Sequence, residues 1–156
     1  YDGMRYGKRE EGDTLLDDFL NSRSEGIGKE PTRRILLGTF VLSSGYIDAY
    51  YRKAQAAREL MREEYNTAFK ECDVIAFPST PSVAFTFGDK SDPVAMYLED
   101  MFTVTANLTG MPGISVPMGT VEEKGVVLPS GIHFTAPLGG DARLFTIGAQ
   151  VTGKKV

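Results

Sequence analysis

The chain has 156 residues, of which 42% are hydrophobic and 24% charged, and its formal net charge is −4 at pH 7. This composition is ordinary for a globular protein, and the length predicts a single domain over residues 1–156. The negative charge argues against a free-standing nucleic-acid binder, which is usually basic, and no apolar run approaches the ~20 residues that a membrane span requires.

The first half of the chain is predicted to be mainly helical. Residues 1–12 are polar and rich in glycine and form a predicted loop, after which Asp13 or Thr14 is the expected helix N-cap. Apolar residues at three- and four-residue steps predict amphipathic helices over residues 14–23, 31–43 and 46–71. The first helix has its apolar stripe at Leu15, Leu16, Phe19 and Leu20. On the longest helix we place Arg58 and Arg62, with neighbouring glutamates, opposite the apolar face.

The second half is predicted to combine strands and helices. Apolar runs and turn residues indicate strands over residues 73–78, 113–118 and 126–134, and helices over residues 93–108 and 142–151. Gly110 is expected to close a helix in the left-handed conformation, and Pro112 cannot continue that helix. Pro117 cannot donate to a sheet ladder and is expected to end the second strand. This order predicts an α/β fold in which helices pack on part of a mixed β-sheet.

No complete catalytic set is visible in the sequence. There is no Gly-x-Ser-x-Gly elbow, phosphate-binding glycine loop or His-Glu-x-x-His pair. His133 is the only histidine. It is either a base or a strand histidine bonded to a neighbour. Cys72 is the only cysteine, which excludes an internal disulfide and a multi-cysteine metal site and fits a reducing, cytoplasmic compartment. The adjacent Asp73 disfavours a thiolate, so we expect a structural role for Cys72.

Two arginines enter a helix that is otherwise strongly apolar. Arg34 shares a helix face with Gly38, one turn later, where a glycine costs about 1 kcal/mol relative to alanine. We therefore expect something to approach Gly38 closely, and the guanidinium of Arg34 beside that opening is a candidate to bind a carboxylate bidentately. The alternative is that Arg33 and Arg34 are solvated or pair with nearby acids.

Two acids lie on a predicted helix among large apolar residues. Glu99 and Asp100 are flanked by Tyr97-Leu98 and Met101-Phe102. An acid in such a position is a candidate for a pocket that receives an amine, and the alternative is a solvated helix edge. The spacing does not choose between the two acids.

Several short motifs, taken together and in order, resemble one enzyme family. They are Arg5-Tyr6-Gly7, Ser22–Gly26, Arg33–Phe40, Ser44–Tyr51, Asp73–Ile75, Pro78–Pro81, Asn107–Gly113 and Leu128–Gly131. The chain resembles the C-terminal third of the A subunits of glutamyl-tRNA(Gln)/aspartyl-tRNA(Asn) amidotransferases, which are amidase-signature enzymes. The resemblance covers nearly the whole chain, and it implies that the fold is the C-terminal portion of an amidase-signature fold.

The resemblance implies a glutaminase that works within a complex. In the family a serine, activated through a second serine and a lysine, attacks the glutamine side-chain amide. The released ammonia passes to a partner that amidates misacylated tRNA, with ATP and Mg bound at that partner subunit. The implied partners are therefore subunits B and C and, through the complex, tRNA. The catalytic Ser/Ser/Lys region lies upstream in the family, so we assign no catalytic residue, metal ligand or cofactor to this chain and expect it to be inactive alone.

The resemblance also implies the residues that bind glutamine. Arg34 matches the position that holds the α-carboxylate, and Asp100 matches the position that faces the α-amino group. This agrees with the chemistry, because free glutamine is zwitterionic and needs a cation and an anion placed apart. The chain departs from the family at His133, where glutamine is usual, and at Cys72, where tyrosine is usual.

Two alternatives to this interpretation stay open. The first is another amidase-signature hydrolase that acts on a small or fatty amide, for which neither Arg34 nor Asp100 is needed. The second is a stand-alone binding or scaffold domain without catalysis. The chain begins at Tyr1 and looks like part of something longer. Removing the upstream part of a shared sheet would expose an edge and an apolar face, so we expect the fragment to self-associate.

Overall fold

The computed structural model describes residues 3, 5–43, 45–90 and 92–154. The described elements are α1 (Leu15–Gly26), α2 (Lys29–Val41), a π-helical turn (Ile47–Tyr51), α3 (Arg52–Ala68), β1 (Ile75–Pro78), α4 (Pro93–Leu98), α5 (Val104–Thr109), β2 (Gly113–Glu123), β3 (Val126–Thr135) and α6 (Asp141–Thr152). The chain divides into two compact units, Tyr1–Gln55 and Ala56–Val156. A single domain over residues 1–156 stays a prediction.

Some of the sequence-based expectations fall outside the described residues. The predicted loops include Tyr1, Asp2, Met4 and Ser91, and one of the family motifs includes Ser44. Among the residues that are described, no helix is long and apolar enough to cross a membrane.

Helix α1 begins at the predicted N-cap, Thr14. The Thr14 hydroxyl accepts a hydrogen bond from the Asp17 amide at 3.2 Å, and the Asp17 carboxylate accepts one from the Thr14 amide at 3.0 Å. This reciprocal pair is a capping box, which satisfies two backbone donors that a helix N-terminus leaves without partners. The helix runs to Gly26, three residues beyond the predicted end.

The buried side of α1 is polar rather than apolar. Asp18 and Ser22 are 5% and 1% exposed. Asp18 accepts hydrogen bonds from the Gly12 amide at 2.6 Å and from the Arg9 guanidinium, and Ser22 accepts one from the Glu10 amide at 2.9 Å. The Gly12 amide, with Arg9 as the second contribution, holds the pKa of Asp18 below its usual value. The preceding loop is therefore fastened to α1 by hydrogen bonds.

Most large apolar residues of the first unit are exposed. Leu16 and Leu20 of α1 are 64% and 58% exposed, and Leu36 of α2 is 66% exposed. Among the described residues of Tyr1–Gln55, no large hydrophobic side chain is buried. A unit without an apolar core lacks the main favourable term of folding.

The predicted long helix is present with different ends, and its half-buried face includes Met61 and Tyr65, as predicted, together with two arginines. It starts as the π-helical turn and continues as α3, which ends at Ala68 rather than Glu71. Arg58 and Arg62 lie on the half-buried face, so their predicted placement opposite the apolar residues is wrong. Arg62 lies on this face because its guanidinium donates a hydrogen bond to the Thr109 carbonyl, outside the helix, at 3.1 Å.

The second unit contains an antiparallel sheet in the order β1-β3-β2. Helix α6 covers one sheet face, where Val116 of β2 and Phe134 of β3 form a buried cluster with Ala136 and Leu144. A Cβ placed on Gly148 of α6 would lie 3.2 Å from Val116, so the helix approaches the sheet closely there. The predicted α/β class is confirmed, and the pairings described for these three strands are all antiparallel.

Strand β2 does not stop at Pro117, as the sequence predicted. It continues to Glu123, with a register irregularity between Pro117 and Gly119. Within the described sheet β2 pairs only with β3, and proline is tolerated on such edge strands and at bulges. The predicted hairpin is confirmed. Its Lys124-Gly125 tip has φ angles of 53° and 77°, which suit a two-residue turn.

We predict that Gly148→Val destabilises the second unit. The new side chain would push α6 away from β2, and overpacking of this kind costs about 1–3 kcal/mol. Urea unfolding of the purified chain measures the effect. Thr146→Val, on the exposed side of the same helix, is the matched control and should change the free energy of unfolding by less than about 0.5 kcal/mol. Equal effects of the two substitutions would contradict the close packing at Gly148.

Candidate substrate-binding site

Arg34 lies in the middle of α2, one turn after an acid. Its Nε atom is 3.1 Å from Oε1 of Glu30, and Nη1 of Arg33 is 3.0 Å from Oε2 of the same carboxylate. The Arg34 side chain is 63% exposed. Exposed ion pairs contribute little to stability, with a median of about 0–1 kcal/mol. The Glu30 carboxylate therefore contacts the guanidinium that a ligand carboxylate would bind. Replacing this exposed ion pair with another carboxylate costs little free energy.

The surface above Gly38 is open. No atom of this chain lies within 4 Å of a Cβ built on Gly38. The close approach that the sequence predicted at this glycine is therefore not made by the chain itself. The helix face that carries Arg34 and Gly38 remains accessible in the described structure.

Asp100 lies in a turn between two short helices. The predicted single helix over residues 93–108 is wrong, because α4 ends at Leu98 and α5 begins at Val104. At the break the backbone bonds tighten to a three-residue step, with the Asp100 amide donating to the Tyr97 carbonyl at 3.2 Å. The Asp100 carbonyl then accepts from the amides of Thr103 and Val104 at 3.0 and 2.9 Å.

The carboxylates of Glu99 and Asp100 differ in what they contact. Glu99 is 2.7 Å from Nζ of Lys90 and accepts from the Ser82 hydroxyl at 2.9 Å. The Lys90 ammonium, followed by the Ser82 hydroxyl, holds the pKa of Glu99 below its usual value. The carboxylate of Asp100 is exposed, and no described residue forms a hydrogen bond or ion pair with it. Of the two candidate acids, Asp100 is the one available to an ammonium group.

His133 forms a hydrogen-bonded chain with two serines on the sheet face opposite α6. Its Nδ1 atom is 3.0 Å from the Ser115 hydroxyl, which is 3.0 Å from the Ser79 hydroxyl. The ring stacks on Phe77 at 5.2 Å between centroids and is 7% exposed. A nucleophile–base pair needs a third group that orients the base, and Nε2 of His133 is buried with no hydrogen-bond partner among the described residues. The geometry fits a strand histidine bonded to a neighbour.

Cys72 does not add a second candidate site. Cys72 is exposed after the end of α3, where its Sγ donates to the Ala68 carbonyl at 3.3 Å. The neighbouring Asp73 pairs with Arg143 at 2.8 Å. Within the described ranges, no group of three or more His, Cys, Asp or Glu side chains is arranged to hold a metal ion.

The two predicted ligand-binding residues belong to different units of the chain. Arg34 lies in Tyr1–Gln55 and Asp100 in Ala56–Val156. Their convergence on one ligand therefore stays a prediction. The Lys90–Glu99–Ser82 contacts were not foreseen from the sequence. In the sequence, these contacts are indicated only by acids that lie between two apolar pairs. That pattern does not identify Lys90 and Ser82 as partners.

The second unit thus combines an antiparallel sheet, a covering helix and a Gly-Met-Pro-Gly turn before β2, which is an α/β architecture. The chain belongs to the amidase family, whose family model matches residues 1–145. The A subunit of glutamyl-tRNA(Gln) amidotransferase from Campylobacter lari is 58% identical over 139 residues, which are 88% of this chain and 29% of the relative. The corresponding protein of Maricaulis maris is 49% identical over 152 residues, which are 97% of this chain and 30% of the relative.

Two solved structures are similar to this chain. The A subunit of glutamyl-tRNA(Gln) amidotransferase from Thermotoga maritima matches with a TM-score of 0.60 and 35% identity over 84% of this chain and 29% of its own. A structure described as an unexpected vestigial protein complex, which reveals the evolutionary origins of an s-triazine catabolic enzyme, matches with a TM-score of 0.64 and 25% identity over 89% of this chain and 30% of its own. The resemblance drawn from the motifs is confirmed. The chain spans 29–30% of the length of the relatives named here.

We predict that His133 makes stability depend on pH between neutral and mildly acidic conditions. Burial lowers the pKa of His133 from the usual 6.5, so the folded state favours the neutral ring. The unfolded chain takes up a proton first as the pH falls below 6.5, and the free energy of unfolding decreases from there down to the lowered pKa. The readout is urea unfolding of the chain at a series of pH values.

His133→Gln is the control for this pH effect. Glutamine keeps a hydrogen-bonding group beside Ser115 and does not titrate, so the decrease below pH 6.5 should disappear. The lowered pKa values of Asp18 and Glu99 affect stability only in more acidic solution, below their usual values of 3.8 and 4.5. The same decrease in the His133→Gln chain between neutrality and about pH 5 would exclude His133 as its cause.

Proposed function

We propose that this chain forms the C-terminal part of the glutaminase subunit of a tRNA-dependent amidotransferase. The complete subunit releases ammonia from the side-chain amide of glutamine, and the complex uses that ammonia to convert Glu-tRNA(Gln) to Gln-tRNA(Gln). The proposal rests on the family and on the names of the relatives, together with one structural observation. That observation is an unengaged carboxylate at Asp100, adjacent to an acid that is already paired.

In this proposal the chain forms one wall of the glutamine pocket. Arg34 takes the α-carboxylate in place of Glu30, and Asp100 takes the α-ammonium group. A planar guanidinium with parallel N–H donors matches a carboxylate in a bidentate arrangement. A ligand that lacks either charge forgoes the corresponding ion pair and binds less tightly than glutamine.

The partners and cofactors follow from the same proposal. The complete subunit assembles with subunits B and C in the cytoplasm, and the complex binds the misacylated tRNA. ATP and Mg bind at a partner subunit. The exposed leucines of α1 and α2 support burial against the rest of the glutaminase, since a large exposed apolar patch usually marks an interface. In isolation the same surface favours self-association of the chain.

A second candidate is an amidase of a different substrate class. The similarity to the structure associated with an s-triazine catabolic enzyme favours it, because that match has the higher TM-score of the two described. A neutral amide does not need the two opposite charges at Arg34 and Asp100. The response of Arg34 variants to nitrogen donors therefore separates the two candidates.

We predict that Arg34→Ala in the full-length protein, in complex with its partners, selectively impairs the use of glutamine. Loss of a bidentate contact to the α-carboxylate should lower kcat/KM for glutamine by roughly 100-fold, about 2.7 kcal/mol. Activity with ammonium as the nitrogen donor should stay near that of the parent, because the synthetic step takes place on the partner. Steady-state formation of Gln-tRNA with each donor measures both effects.

Arg33→Ala is the matched control for Arg34→Ala. It removes the same charge from the neighbouring position, and both arginines pair with Glu30. The control should retain glutamine use within about twofold, as expected for an exposed ion pair. Equal loss with glutamine and ammonium in Arg34→Ala, or equal loss in both variants, would contradict substrate recognition by Arg34.

We also predict that the purified chain does not hydrolyse glutamine by itself. The described residues place no orienting group on the imidazole of His133, and the family's Ser/Ser/Lys machinery is expected elsewhere in the complete subunit. A coupled assay for ammonia release should give the rate of a buffer blank. Ammonia release above the blank that disappears in Ser115→Ala would place a nucleophile in this chain and refute the prediction.

A further inference from the structure

The Glu99 carboxylate links the loop before α4 to the turn after α4. Oε1 of Glu99 is 2.7 Å from Nζ of Lys90, and Oε2 accepts a hydrogen bond from the Ser82 hydroxyl at 2.9 Å. The Glu99 side chain is 13% exposed and that of Lys90 is 26% exposed. An ion pair shielded from water to this extent is screened less than the surface pairs of α2.

The partners of Glu99 are themselves held by the loop. The Lys90 ammonium lies 5.5 Å from the centre of the Phe85 ring, a cation–π distance. The turn just before Lys90 is closed by the Asp89 amide, which donates to the Thr86 carbonyl at 3.2 Å, and by the Thr86 hydroxyl, which donates to the Asp89 carboxylate. The ammonium is therefore presented to Glu99 by a locally ordered segment.

Hydrogen bonds hold the backbone of Asp100, the residue that follows Glu99. The Asp100 amide donates to Tyr97, and the Asp100 carbonyl accepts from Thr103 and Val104, so the backbone is held on both sides of its Cα atom. Lys90 balances the charge of Glu99, which leaves the Asp100 carboxylate as the unpaired negative charge of this turn among the described residues. An ammonium ligand at this turn therefore meets one unpaired carboxylate on a held backbone.

We infer that Glu99, Lys90 and Ser82 form a positioning network that orients the Asp100 carboxylate toward the ammonium group of an amino-acid substrate. The inference rests on the proposed function, and it adds residues that do not touch the substrate. Without the network, Glu99 would be released beside Asp100, the turn would lose its link to the loop, and part of the binding energy would go into ordering the turn.

The inference is tested in the full-length protein, in complex with its partners, by the separate response of KM and kcat. Glu99→Ala should raise KM for glutamine roughly 5- to 20-fold with kcat changed less than about twofold, since it removes orientation before binding. Lys90→Met should raise KM in the same direction, and Lys90→Arg, which keeps a cation for Glu99, should restore it to near the parent value. Activity with ammonium should not change in any of these variants.

Two further variants separate this inference from the proposed function. Asp100→Asn tests the direct contact and should raise KM for glutamine more than Glu99→Ala does. Glu123→Ala, which removes a carboxylate from the cavity that Ser82 and Lys90 line together with the β2–β3 hairpin, is the matched control and should leave KM unchanged.

The outcomes are distinguishable. A raised KM in Asp100→Asn with a normal KM in Glu99→Ala and Lys90→Met would overturn the network and leave the proposed function intact. A normal KM in Asp100→Asn would overturn the role of Asp100 and the network with it. Loss of ammonium-dependent activity in Glu99→Ala would show a general structural role and overturn the inference. Glu99→Gln removes the charge that pairs with Lys90 but keeps an oxygen for the Ser82 hydroxyl, so it repeats the test with a smaller change.

Discussion

Charge pairing inside the chain determines which ionised groups remain for a ligand. Glu99 is engaged by Lys90 and Ser82 and is largely shielded from water, whereas the adjacent Asp100 has no partner among the described residues. Glu30 holds Arg34 through an exposed contact, which a ligand carboxylate can replace at small cost. We propose that these two residues supply the cation and the anion for a zwitterionic amino acid, and their convergence on one ligand stays a prediction.

The parts of the fold that were predicted correctly are set by residues close together in the sequence. Thr14 caps α1, Gly110 takes a φ angle of 75° at the end of α5, and the hairpin turns at Lys124-Gly125. Each of these features needs a few neighbouring residues with defined backbone preferences. Pro117 was misjudged because its effect depends on whether its strand lies at a sheet edge, which local sequence does not specify.

The candidate site residues came from the family resemblance, which selected Arg34 and Asp100. Helical spacing alone did not separate Asp100 from Glu99. The distinction arises from contacts between distant residues, since Ser82 lies seventeen positions from Glu99. The same limit applies to Arg62, which periodicity placed on the solvent side and which Thr109, from a later helix, draws to the half-buried face.

The most direct test of the account is a crystal structure of the complete subunit with glutamine bound. We predict that the α-carboxylate lies about 3 Å from the Arg34 guanidinium and the α-ammonium about 3 Å from the Asp100 carboxylate. The ion pair between Glu99 and Lys90 should remain. A bound glutamine whose charged groups contact other residues, with Arg34 still paired to Glu30 and Asp100 facing solvent, would contradict it.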